Sequence, residues 1–196
     1  MKRVRFVVCL IALMVMMTAG LAFSQEQGAK ELGFNMSLTH STVEMDDADI
    51  EVNQVDLTGQ LILGYFLTDN LELGTLLLVS TSEQEYEDGD ESTTTMFTPG
   101  ILGRYLFGEG RLRPFVGLNV SYLGMNMEQG DVESDITGYQ IGGQIGVKYF
   151  FSEKTALNFE YDPYYTEVNF EIDEYDIDED ATGYGGIALF GISVFF

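Results

Sequence analysis

The last thirteen residues, YGGIALFGISVFF from Tyr184 to Phe196, constrain the fold most. Counted back by twos from the C-terminus, Phe196, Val194, Ile192, Phe190 and Ala188 are all apolar. The other parity, with Phe195, Ser193, Gly191, Leu189, Ile187 and Gly185, is smaller and mixed. Successive side chains of a β-strand point to opposite faces, so one face of this strand is wholly apolar. In water, a strand ending on Val-Phe-Phe leaves an apolar edge that invites aggregation. A barrel closed on itself in lipid removes the edge and requires the apolar face. Sandwich strands also alternate, so the remaining chain must decide.

Seven earlier segments alternate in the same way. Leu32 to Thr39 sets Leu32, Phe34, Met36 and Leu38 against Gly33, Asn35, Ser37 and Thr39. Val55 to Phe66 sets Val55, Leu57, Leu61, Leu63 and Tyr65 against Asp56, Thr58, Gln60 and Gly64. The third starts at Leu71, with Leu73, Leu77 and Val79 on its parity and Glu72, Gly74 and Ser80 on the other. Thr95 to Phe107 follows, with Arg104 on its polar parity; its Pro99 is awkward in a central strand because it donates no ladder hydrogen bond. Pro114 to Leu123, Gly138 to Phe150 and the stretch from Leu157 to Asp162 complete the set. Three connections are short, at 67–70, 108–113 and 151–155. Four are long and acidic, at about 43–54, 82–93, 125–136 and 166–181. Short turns at one end and long loops at the other are the plan of a transmembrane barrel. Aromatic residues fall near both ends of the strands. Tyr65, Tyr105, Phe107, Tyr149 and Phe196 lie at one end, and Tyr122, Tyr139, Tyr161 and Tyr184 at the other, as two interfacial girdles require.

The N-terminus reads as a secretory signal peptide over residues 1–24, leaving a β-domain over 25–196. Lys2, Arg3 and Arg5 precede the apolar run Val7 to Met17, and Ala22-Phe23-Ser24 supplies small residues at the cleavage positions. The single cysteine, Cys9, lies inside that run, so residues 25–196 make no disulfide. Those residues carry six Lys and Arg against 32 Asp and Glu, a formal charge of −26. Nucleic acid is excluded as a partner, because binding it requires neutralising phosphates with Lys and Arg. No apolar stretch after the leader reaches the length of a membrane helix. Disorder is excluded by periodic apolar residues amounting to 45% of the chain.

The terminal strand, with Phe196, Val194, Ile192, Phe190 and Ala188, resembles that of bacterial outer-membrane β-barrels. In those families Phe190, Ile192, Val194 and Phe196 would stand where the barrel assembly machinery reads its signal. The eight segments extend this likeness to an OmpA/OmpX-like outer membrane protein beta-barrel domain over residues 30–196. The resemblance implies an all-β fold: an eight-stranded antiparallel up-and-down transmembrane β-barrel in the bacterial outer membrane, with both termini periplasmic. It implies a monomer contacting lipid and lipopolysaccharide. It also implies a structural or surface-interaction role, without the cell-wall-binding domain of longer relatives. Two alternatives stay open: a narrow pore or small-solute transporter, and a soluble periplasmic ligand-binding barrel. The lipocalin form of the latter is disfavoured by the absence of Trp and by the polar parity.

That polar parity holds Asp56, Glu72, Arg104, Lys148, Glu160 and Asp162. An eight-stranded barrel is just wide enough for side chains to fill it. Buried unpaired charges are costly, so pairing is expected: Glu72 with Arg104, and Lys148 with Glu160. The pattern is similar to the interior charge network of OmpA/OmpX-type barrels. The four long connections hold 23 of the 32 acidic residues and no Lys or Arg. In the last of them, Asp173, Glu174, Asp176, Asp178, Glu179 and Asp180 would suit Ca2+ or Mg2+, shared between loops or with lipopolysaccharide phosphates. A solvated acidic surface explains the same residues. No cofactor motif is present. His40, the one histidine, adjoins Ser41, but neighbours on a strand point apart, so no catalytic dyad is expected.

Overall fold

The computed structural model describes residues 27–45, 50–86, 91–129, 132–172 and 177–196. The leader expected at 1–24, with Cys9, lies outside them, as do Asp173, Glu174 and Asp176. Eight strands follow one another: β1 (Lys30–Met45), β2 (Ile50–Phe66), β3 (Leu71–Tyr86), β4 (Glu91–Leu106), β5 (Leu112–Gln129), β6 (Val132–Ser152), β7 (Thr155–Ile172) and β8 (Ile177–Phe195). Each pairs antiparallel with the next, and β8 returns to β1, closing the barrel. Among the described residues no helix is long and apolar enough to cross a membrane.

The period-two pattern sets which face is which. Leu38, Leu63, Ile101, Leu118, Ile141, Ile145 and Phe159 stand exposed on the outside. Glu31, Asn35, Gln60, Arg104, Gln144, Lys148 and Asn158 are buried inside. Such a distribution inverts that of a water-soluble domain and matches a lipid-facing surface. The aromatic residues of both expected girdles are exposed, and Phe151 and Tyr165 join them.

The strands are longer than the alternation indicated. A tilted membrane strand needs about 9–11 residues, and these run from 16 to 21. Most of each acidic connection is therefore paired strand, with β1–β2 in register out to Met45–Ile50 and β7–β8 out to Ile172–Ile177. Beyond the lipid neither face must be apolar, so the sequence is not held to alternate there.

The short turns follow their sequence. Thr68 Oγ1 accepts from the amides of Asn70 (3.3 Å) and Leu71 (3.0 Å), which closes the β2–β3 turn. Gly108 takes φ +78°, a left-handed conformation that favours glycine, where the chain leaves β4. Pro99 does lie within β4, and the β4–β5 ladder is interrupted between Phe97–Gly124 and Gly100–Ser121. Pro163 sits in a similar gap in the β6–β7 ladder.

The closing seam is uneven. β1 and β8 pair from Glu31–Phe195 to Met36–Phe190 and, among the described residues, no further toward the hairpins, whereas β1 pairs with β2 along its whole length. Past Met36 a groove of about 680 Å3 runs along the seam, lined by Leu38, Thr39, Ile187 and Phe190 among others.

Candidate functional site: the barrel lumen

The lumen is built in three layers. At the short-turn end lies an apolar layer. Phe66, Leu106, Phe115, Phe150, Ala156 and Phe195 are buried together there. Phe195 packs its ring against Phe150 (5.3 Å) and Phe66 (6.0 Å). The inward parity is therefore not wholly polar. One aromatic from each of several strand ends meets on the axis.

Two cations rest on this layer. The Arg104 guanidinium lies 5.0 Å from the Phe115 ring centre, and Lys148 Nζ lies 5.6 Å from that of Phe195 and 5.8 Å from that of Phe115. Above them comes a network from most of the strands. Arg104 donates to Glu160 Oε2 (2.8 Å) and to Gln144 Oε1 (2.9 Å). Lys148 pairs with Glu31, which also accepts from Ser193 (2.6 Å). Asn35 donates to Gln60 and to Glu160, each at 2.7 Å, and Asn158 donates to Asn35 (3.0 Å) and Ser193 (2.7 Å). Gln60 and Gln144 both donate to Asp162 Oδ2, at 3.3 and 3.1 Å. All four ion-pair members have side chains at most 1% exposed. Together these groups crowd the lumen at this end of the barrel.

The pairs differ from those expected from strand order. Glu72 and Arg104 are direct register partners on β3 and β4, yet they do not form the ion pair. Arg104 leans over Gly117, its partner on β5, where a Cβ would come within 2.9 Å of Arg104 Cγ. That lean carries the guanidinium past Gln144 on β6 to Glu160 on β7. Glu72 leans the other way, over Gly64 on β2, whose own partner on β1 is Glu31. Neither oxygen of Glu72 meets an N–H donor of the barrel, and its neighbour is the carboxyl of Glu31. Lys148, left without Glu160, takes Glu31 instead. The first alternating segment, counted from Leu32, stops one residue short of Glu31. Its parity with Gly33, Asn35 and Ser37 was the available signal. Asn35, Gln60, Gln144 and Asn158 lay on the polar parity, but nothing in their sequence marked them as bridges.

Above the network the lumen is not filled. A cavity of about 570 Å3 occupies the hairpin half, with Asp162 at its floor and Leu76, Leu78, Met96 and Leu123 on one wall. Asp56 lines it as well. In the terminal strand Phe190, Ile192 and Val194 are register partners of Met36, Phe34 and Leu32, and Phe190 stacks on Phe159 at 4.8 Å. The Phe196 amide donates to the Lys30 carbonyl (3.0 Å), and the Lys30 amide to the Phe196 carbonyl (2.8 Å). The side chains of His40 and Ser41, and of Asp178, Glu179 and Asp180, lie outside the described residues. Among the described residues no cluster of His, Cys, Asp and Glu is arranged to hold a metal.

Comparison with known proteins agrees with this architecture. The barrel of AlkL, solved in lipid bilayers, superposes with a TM-score of 0.58 at 18% identity, covering 90% of this chain and 93% of that one. OprG from Pseudomonas aeruginosa superposes at 0.55 with 14% identity, covering 89% and 99%. Neisserial surface protein A does so at 0.52 with 15% identity, covering 85% and 96%. At these identities the likeness is one of fold. No curated protein matches the sequence. The family model for the outer membrane protein beta-barrel domain matches residues 8–188. With that match, the exposed apolar band and the closed sheet, the soluble periplasmic alternative falls away: the chain belongs to the outer membrane protein beta-barrel domain family and resides in the bacterial outer membrane.

Proposed function

We propose that this chain is a closed, non-enzymatic outer-membrane barrel that acts at its outer face, as a structural and surface-interaction protein. The observation that carries this reading is the double seal. An aromatic layer and a hydrogen-bonded charge network lie one above the other across the short-turn end of the lumen. Glu72, Arg104, Lys148 and Glu160, joined by Glu31, serve as a structural plug in this reading. The acidic hairpins would then form the working surface, meeting divalent cations and lipopolysaccharide phosphates. Phe190, Ile192, Val194 and Phe196 would be read by the assembly machinery. The outward apolar face is sufficient for a monomer in lipid.

The test is conductance in planar bilayers, with protein whose folding is verified by a gel-mobility shift on boiling. Wild type should give no sustained single-channel steps. Steady steps altered by Arg104→Ala or Lys148→Ala would overturn the reading and make the narrow pore the function.

A further inference from the structure

We propose that the unpaired upper part of the β1–β8 seam is a binding slot for a neutral amphiphile with one alkyl tail, drawn from the surrounding membrane. Three observations carry it. Among the described residues the β1–β8 ladder stops at Met36–Phe190, while each strand stays paired on its other side, β1 with β2 to Met45–Ile50 and β8 with β7 to Ile172–Ile177. The groove of about 680 Å3 beside the unpaired run is lined from both faces of the sheet: Leu38, Phe159 and Tyr161 from the lipid side, Thr39 and Ile187 from the luminal side. Thr39, Gly186 and Ile187 also line the luminal cavity of about 570 Å3, so groove and cavity meet at the seam. Exposure agrees. Leu38 is 72% exposed, and Thr39 is exposed although its parity points inward.

Backbone chemistry selects the occupant. Beyond Met36–Phe190 the two facing edges present amide and carbonyl groups with no strand opposite among the described residues. Open sheet edges at hydrocarbon depth are costly, because lipid offers no hydrogen bonds. The unpaired run starts inside the lipid-facing band, at the height of Tyr161, the register partner of Ala188. A hydroxyl or amide head both donates to and accepts from such edges, and its tail lies against Leu38, Phe159 and Phe190. Charged heads are disfavoured. Glu160, the one carboxyl lining the groove, is already held by Arg104 and Asn35, so it offers little to a cation. An anion would meet Glu160 and, in the adjoining cavity, Asp56 and Asp162, with no Lys or Arg among the lining residues. Size excludes lipopolysaccharide, whose several acyl chains outgrow a groove in the small-ligand range of about 300–1,000 Å3. The slot lies on the hairpin side of the paired run, so it does not depend on closure of the short-turn end.

Fluorescence quenching of the full barrel in lipid nanodiscs tests this. The chain has no Trp, so Tyr164→Trp, in the lumen beside Gly185, is a sole reporter. Leu118→Trp, on the lipid face of β5, reports ordinary partition into the bilayer. The probes are dodecanol, dodecane and dodecanoate, each brominated next to its head end. Bromododecanol should quench Tyr164→Trp saturably, at about tenfold lower membrane concentration than bromododecane, the factor that one or two hydrogen bonds supply. Bromododecanoate should not quench it. Alcohol and alkane should quench Leu118→Trp alike and without saturation. A disulfide between Leu38→Cys and Ala188→Cys, which continue the register of the ladder, closes the seam, and residues 25–196 hold no other cysteine. It should abolish quenching of Tyr164→Trp until it is reduced. Ala188→Phe fills the groove without a cross-link and should do the same. Retention of the boiling-dependent gel shift verifies that each variant is folded. Equal quenching by alcohol and alkane, quenching that survives both seam variants, or none at Tyr164→Trp would each overturn the proposal.

Discussion

Arg104 and Glu72 face each other across two strands, yet the structure treats them oppositely. Arg104 is held by Glu160 and Gln144 and lies over Phe115. Removing it leaves Glu160 buried beside a vacancy, and breaking a buried pair from one side costs about 3–5 kcal/mol. Arg104→Met should therefore lower barrel stability by about that amount, read from the urea midpoint of folding in lipid vesicles. Glu72 has no cationic partner in contact and lies beside the carboxyl of Glu31. Glu72→Gln removes a buried carboxyl that has no cation in contact, and should leave stability unchanged or raise it. If the two substitutions proved equally damaging, Glu72 would be a full member of the network. The inward position of both residues was legible from period two alone. Their partners were not, because a long side chain in a narrow barrel reaches across two or three strands. The clue lay in the glycines: Gly117 and Gly64 are low points over which Arg104 and Glu72 pass.

At the scale of elements, the order of strands, their directions and their lipid-facing sides were all written in the alternation. What was not written is where each strand stops. Alternation exists only while one face meets lipid and the other the lumen. Acidic residues of the hairpins answer to neither, so strands such as β6, from Val132 to Ser152, outrun their visible pattern. The cavity was equally hidden, since inward leucines such as Leu76 and Leu78 look like strand noise until they share a wall. The strand most sensitive to a small change should be β8. A Cβ on Gly191 would lie 2.0 Å from the Phe34 carbonyl oxygen and 2.1 Å from Asn35 Oδ1. Backbone cannot yield as a side chain does. Gly191→Ala should reduce the fraction of folded, heat-modifiable barrel by more than about two-thirds at the wild-type urea midpoint, equivalent to a loss above about 1 kcal/mol. Gly110→Ala, in open space, should leave it unchanged.

For the molecule as a whole, charge is sorted along the axis. The basic residues of 25–196, Lys30, Arg104, Arg111, Arg113, Lys148 and Lys154, all lie toward the short-turn end, and the hairpin end is acidic. The aromatic layer and the charge network sit in the basic half and the cavity in the acidic half. Closure, however, rests on a short run of β1–β8 pairs at the short-turn end, from Glu31–Phe195 to Met36–Phe190. This makes the barrel behave mechanically as a zip fastened only at its bottom teeth. Lys30 and Phe196 adjoin at that end, so force applied between the termini peels the fastened pairs one at a time. Among the described residues no further β1–β8 pair follows them along the seam. A single barrel pulled by its termini in an optical trap should yield first in one small step, as β1 leaves β8, and only then in larger steps as the longer ladders fail. A first rupture as large as the later ones would mean that the seam is fastened along its full height.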